Sequence, residues 1–216
     1  MQCPPNVPHT DHIMPDKDTI CWFPMRVTYG RQLKIKEFLD IENIENFLPM
    51  TTLTVRENNR IHHKHVPAIS NLIFVRSTMN NLNFLKQTKV SAYPMRYMTR
   101  KTLNQKNSGW EIITVPDRQM ENFIKIAGGP EEEFTYLKPE ELIGKINGKV
   151  KLTSGPFKDV EGIIKRIHGN KRVVVEIESV GGICINFVPK SCMMQIDLPP
   201  ENYPVLTNPD TKNKVS

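Results

Sequence analysis

Residues 149–177, KVKLTSGPFKDVEGIIKRIHGNKRVVVEI, constrain the fold more than any other stretch of the 216-residue chain. Val150 and Leu152 begin a short apolar strand, and Ser154-Gly155-Pro156 is a turn made by glycine's open φ together with proline's fixed one. Phe157 follows, then a charged Lys158-Asp159 tip. In the next run Val160, Gly162 and Ile164 share one face, with Glu161, Ile163 and Lys165 on the other. His168-Gly169-Asn170-Lys171 is a second turn, and Arg172–Ile177 is a third strand, rich in the β-branched residues that suit a pleat. Short strands this closely spaced, with a glycine where backbones must approach, predict a small barrel.

The run Val150–Ile164 resembles a KOW motif in the spacing of Gly155, Phe157 and Gly162. That resemblance implies an SH3-like barrel of the kind carried by transcription elongation factors and some ribosomal proteins. The rest of the chain has to decide between such uses.

Upstream, Thr19–Val27 is a strand-like run holding one of the two tryptophans, Trp22, and it ends at Gly30. In Arg31–Ile44 the apolar residues Ile35, Phe38 and Leu39 fall at i, i+3 and i+4, which predicts a helix packing that stripe on a sheet with its lysines and glutamates outward. Phe47-Leu48-Pro49-Met50 begins another extended piece. Thr51–Val55 and Ile61–Val66 flank Arg56–Arg60 as a β-hairpin with a polar tip. Pro67–Val75 ends in a buried strand, and residues 81–100 interleave aromatic and basic side chains. Pro116–Gly128 is a helix with the proline in its first turn and glycines at its stop.

Strand, helix, strand, hairpin, strand, helix is an α+β order: an antiparallel sheet flanked by helices, followed by the small β-barrel. Trp22–Val27 with Gly30 and its basic helix, Phe47-Leu48-Pro49, Pro67–Val75 and Val115-Pro116-Asp117 together resemble the N-terminal domain of the NusG family. Val66-Pro67-Ala68, Asn71–Val75 and Val115–Met120 look like the UpxY group of Bacteroides-type bacteria, specialised relatives that act as antiterminators on capsular polysaccharide operons. The expected organisation is a disordered lead-in at 1–18, the NusG-type domain at 19–127, an acidic linker at 128–143, the KOW barrel at 144–198 and a loose tail at 199–216. Phe134, Tyr136 and Leu137 leave the linker some capacity to dock locally.

Charge fits that organisation. Residues 19–127 hold 16 Lys and Arg against 8 Asp and Glu, residues 128–143 hold 1 against 5, and residues 144–198 hold 9 against 5. Two basic modules around an acidic connector point to polyanionic partners, a lysine-rich but merely solvated surface being the alternative. No apolar stretch approaches the roughly 18 residues of a membrane span, and the N-terminus lacks the pattern of a secretory signal. Cys3, Cys21, Cys184 and Cys192 form no CxxC pair, so free thiols in a reducing cytoplasm are expected.

No catalytic constellation, cofactor motif or metal site is found. His63 and His65 share a strand face, but beside Lys64 and without an acidic or cysteine ligand they read as a solvated or nucleic-acid-facing hairpin. The resemblance implies three binding surfaces. An apolar depression gripping the RNA polymerase clamp matches Trp22, Phe23, Phe47, Leu48, Pro49 and Phe74, residues that fit plain core as well; exposure separates the two. Non-template DNA or nascent leader RNA would meet Arg26, Tyr29, Arg31, Lys34, Lys89, Tyr93, Arg96, Tyr97 and Arg100, cations for phosphates and tyrosines for bases. In the barrel, Phe157 with Lys158 would meet a ribosomal protein or termination factor, Phe157 as a packed turn anchor being the alternative. The implied protein is a non-enzymatic antitermination and elongation factor; its rivals are a housekeeping NusG, a ribosomal or RNA-binding KOW protein, and a hydrolase using the histidines.

Overall fold

The computed structural model describes residues 16–88, 95–101 and 109–196. These divide into two compact units, one ending at Glu131 and the other beginning at Glu132. The fold is α+β.

In the first unit, β1 (Cys21–Val27), β2 (Asn46–Phe47), β5 (Leu72–Ser77) and β6 (Met95–Tyr97) form one antiparallel sheet in the order β2-β5-β1-β6. The period-2 alternation of β1 decides what covers it. Cys21, Phe23, Met25 and Val27 point to one face, where they pack with Ile35, Phe38 and Leu39 of α1 (Gln32–Ile41) and Met79, Leu82 and Leu85 of α2 (Met79–Thr88). The other face carries Trp22 and Phe74; there Phe123 of α3 (Asp117–Ala127) sits 5.6 Å from the Phe74 ring and 6.2 Å from Phe47. Both faces are therefore covered over most of β1, and burial breaks only at Arg26. Each such fully buried Phe or Leu contributes about 1.5–3 kcal/mol.

β3 (Met50–Glu57) and β4 (Arg60–Pro67) make a two-stranded hairpin, exposed along most of its length. Its two-residue turn is Asn58-Asn59, with φ of 50° and 59°; two left-handed residues are what a type I′ turn requires, and asparagine tolerates them. At its base Glu131 accepts from the Thr52 amide at 2.8 Å and the Thr52 hydroxyl at 3.0 Å, and these bonds hold its carboxyl below the usual carboxylate range. A second small hairpin, β7 (Thr99–Lys101) with β8 (Trp110–Ile112), follows β6.

In the second unit, β9 (Phe134–Leu137), β10 (Lys149–Leu152), β11 (Glu161–Ile167), β12 (Asn170–Ile177), β13 (Gly181–Ile185) and β14 (Met193–Ile196) form one antiparallel sheet, ordered β14-β10-β11-β12-β13-β9. Gly162 is required by close approach: a Cβ there would lie 2.8 Å from Val173 Cγ1 and 2.9 Å from the Val174 carbonyl oxygen. Lys165 is buried on the face shared with Ile163 and Ile167, where its ammonium donates to the Leu142 carbonyl at 2.7 Å and to the Glu176 carboxylate. Those bonds pin the 3-10 turn Pro139–Leu142 onto the sheet.

Two expected boundaries are corrected. Residues 134–137, placed in the acidic linker, are the edge strand β9, with Phe134 and Leu137 buried and Thr135 and Tyr136 in register with Cys184 and Ile183. Residues 16–18, placed in the lead-in, form a turn tied to α2: the Asn80 amide group donates to Asp18 at 2.6 Å and the Asn80 backbone N–H to Lys17 O. The rest of the expected lead-in and tail, with Cys3, lies outside the described residues. Cys21 and Cys184 are buried thiols, the latter pushed up in pKa by burial. Among the described residues no helix is long and apolar enough to cross a membrane, and no group of three or more His, Cys, Asp and Glu is placed to hold a metal ion.

Candidate nucleic-acid interface

The site begins where the second face of β1 opens. Arg26 stands directly across from Arg96 of β6, and both side chains are exposed. The strand ends at Val27, and the chain turns through Tyr29 and Gly30 at φ of 60° and 63°. A left-handed tyrosine is uncommon, and here it leaves the ring 85% exposed, with the Arg31 guanidinium carbon 5.8 Å from the ring centroid. Arg31 is also the N-cap of α1, where no side chain caps the helix and no acidic residue occupies the first turn. Lys34 follows, exposed, on that first turn. A helix end with uncapped N–H donors and added cations favours an anion. Arg26 and Arg96 are thus exposed on one face of the sheet, while Tyr29, Arg31 and Lys34 are exposed where the chain leaves β1 and enters α1, the helix that packs on the other face.

Two expected members are engaged elsewhere. Tyr97 points to the opposite face of the sheet, half-buried at 5.5 Å from the Phe23 ring, and its hydroxyl lies 3.2 Å from Asn83 Oδ1 and 3.4 Å from Met79 O. Burial pushes its pKa up to about 12, and Lys86 lies over its ring at 4.5 Å, so the hydroxyl and one ring face are engaged within the fold. Desolvation, aided by the charge of Arg96, holds the Lys86 ammonium below its ordinary pKa. Arg100 is ion-paired with Glu111 across β7 and β8, and both are mostly buried. Lys89 and Tyr93 lie outside the described residues.

The side chains expected to grip the polymerase are mostly interior. Trp22, Phe23, Leu48, Pro49 and Phe74 are buried, and only Phe47 is half-exposed. Alternation on a strand covered on both faces explains this: neither parity of β1 is left for a partner. A cavity of about 190 Å³ is lined by Trp22, Glu45, Arg76, Asp117, Glu121 and Ile124. There Arg76 bridges Asp117 and Glu45, each at 3.1 Å, and its own pKa is raised, chiefly by Asp117.

Phe157 is also a correction. It is 3% exposed, and its turn closes through Lys158 N–H to Gly155 O at 3.1 Å and Val160 N–H to Phe157 O. It is an anchor, while Lys158 is exposed. Among the described residues of this unit the exposed aromatic is Phe187, at 80%. Its neighbour Asn186 donates to Glu132 O at 2.9 Å and accepts from the Thr135 hydroxyl at 2.9 Å. Sequence reasoning also missed Trp110, 66% exposed with Lys101 Nζ 5.7 Å from its ring centroid. The available signal was a tryptophan in the polar run Asn107-Ser108-Gly109-Trp110-Glu111.

Compared with known families, residues 20–143 match the model described as transcription termination factor nusG. That match takes in the whole sheet and all three helices of the first unit and continues through β9. Among solved structures the chain is similar to Thermotoga maritima NusG, solved for its domain interaction, at 20% identity over 84% of this chain and all of that one, with a TM-score of 0.39.

Proposed function

Since this chain belongs to the NusG family of transcription factors, which are not enzymes, we propose that it is a specialised antitermination factor that rides on RNA polymerase over a few long operons. The single observation that carries the reading is the family match across residues 20–143, joined to UpxY-like residues at Val66–Val75 and Val115–Met120. Capsular polysaccharide operons are the target class that likeness implies, and the cytoplasm is where such a factor acts.

In this reading the first unit spans the polymerase clamp and the DNA channel. Holding the clamp closed disfavours pausing and release, so the factor works by binding one polymerase state better than another, with no chemistry. Polymerase would be met through Phe47 and the Trp22-lined cavity, while Arg26, Tyr29, Arg31, Lys34 and Arg96 take the exposed non-template strand or the leader transcript. The second unit is the KOW module. Its contact to a ribosomal protein or termination factor would use exposed groups such as Phe187 and Lys158 in place of the buried Phe157.

The test is transcription by purified cognate polymerase on a template carrying a leader pause and a terminator. Added protein should shorten the pause and raise read-through. Unchanged transcription, with the protein co-sedimenting with ribosomes, would contradict the proposal.

A further inference from the structure

We propose that Trp110, with Lys101 beside it, is a stacking platform for an unpaired nucleobase of DNA or RNA. The inference rests on the nucleic-acid role proposed above and adds to it a site on a different element. Trp110 opens β8 and is in register with Lys101, the last residue of β7, so the two share a hairpin face. The ammonium lies 5.7 Å from the indole centroid. The opposite face of the hairpin is neutralised by Arg100 with Glu111. Charge at the indole is therefore net positive.

Exposure makes the case. A tryptophan is costly to leave in water, and the other one, Trp22, is 4% exposed. Trp110 keeps 66% of its surface open. Its companions on that hairpin face are Lys101, the exposed Thr99, and Ile112, which packs into the core of the unit. A protein partner is fitted by a contiguous apolar patch. One flat ring with a cation beside it fits a base and its phosphate, since base–aromatic stacking needs only a π-face and the cation supplies the salt-sensitive part. Tyr29 with Arg31 repeats the construction at the cationic surface, with the guanidinium 5.8 Å from the ring. Tyr97 with Lys86 has the same pairing, but in a half-buried setting.

The full-length protein is titrated with fluorescently labelled oligo(dT), oligo(rU) and a blunt duplex, reading anisotropy and tryptophan emission. Of the chain's two tryptophans only Trp110 is exposed, so saturation with a single strand should quench its emission while the duplex leaves it unchanged. Trp110→Ala should weaken single-strand binding roughly 5- to 150-fold. Trp110→Phe should keep most of the affinity and lose the quench, and far-UV circular dichroism with the buried Trp22 emission verifies that both variants are folded. Preference for dT points to the displaced DNA strand, and preference for rU to the transcript. Emission unmoved at saturation, no oligonucleotide binding, or a Trp110→Ala protein that binds oligonucleotides as tightly as the parent would overturn the proposal. If such a protein still lengthens transcripts, the antitermination reading stands without the stacking site. If Trp110→Ala weakens polymerase binding alone, the indole is a protein contact and the proposal fails.

Discussion

Arg26 of β1 and Arg96 of β6 stand directly across from one another on the same face of the sheet, both exposed. Like charges opposed in an antiparallel pair are destabilising by roughly 0.2–1 kcal/mol, so folding alone gives no reason for the pair. An anion bound between them would.

Replacing either arginine by glutamine should therefore leave thermal stability unchanged or slightly raised, while weakening single-strand binding. If each arginine neutralises one phosphate, the slope of log K against log salt should flatten by about 0.7 per replacement. Oligonucleotide titrations across a salt series, beside thermal melts, give both readouts. A loss of stability with an unchanged salt slope would mean the pair serves the fold.

Tyr97 should behave as a structural residue. Tyr97→Phe removes a half-buried hydroxyl bonded within the fold and should cost about 1 kcal/mol at neutral pH, without changing oligonucleotide affinity. The folded pKa is raised to about 12, against about 10 in the unfolded chain. The folded state thus keeps its proton where the unfolded state has lost it, so the contribution is whole below about pH 10 and is lost as pH rises towards 12. Urea unfolding between pH 8 and 11 should show this alkaline loss in the parent, and a smaller one in Tyr97→Phe.

Phe157 anchors its turn from inside the second unit. Phe157→Ala should destabilise that unit by about 3–5 kcal/mol, whereas Lys158→Ala should stay within about 0.5 kcal/mol. Denaturant melts followed by amide signals of β10–β12 would separate this unit from the first.

The buried Lys165 pairs with the partly exposed Glu176 and also satisfies the Leu142 carbonyl. Lys165→Met should cost about 1.5–3 kcal/mol because it removes charge-assisted hydrogen bonds to Glu176 and to the Leu142 carbonyl, and adding Glu176→Leu should cost less than its own single replacement. A double-mutant cycle in urea measures the coupling. Additive losses would mean that the two side chains act independently.

How legible these features were depends on whether the signal is local. Helices α1 and α3, the β3–β4 hairpin and the strands around Gly162 follow from periodicity and turn chemistry within a few residues. Helix α2 does not: Asn80, Asn81 and Asn83 are poor helix formers, and only the packing of Met79, Leu82 and Leu85 on the sheet secures it. Strand β9 was hidden because its acidic, proline-flanked setting reads as linker. Its docking depends on a distant glycine: a Cβ at Gly181 would lie 2.7 Å from Leu137 O. At the candidate site, Arg26, Tyr29 and Arg31, picked out by residue type, are exposed. The same reasoning could not separate Trp22, Phe23 and Phe74, which are core, from an exposed apolar surface, because an aromatic strand looks alike in both settings. It passed over Trp110 for the converse reason, since nothing local distinguishes an indole left in water from one that is buried.

The most direct test of the central claim is genome-wide occupancy of the tagged protein beside that of RNA polymerase in its own cells. The account predicts signal that enters at the leaders of one or a few long operons and travels with polymerase to their ends. Signal on nearly every transcribed gene would contradict the specialised role, and absence from transcribed genes would contradict a role in elongation altogether.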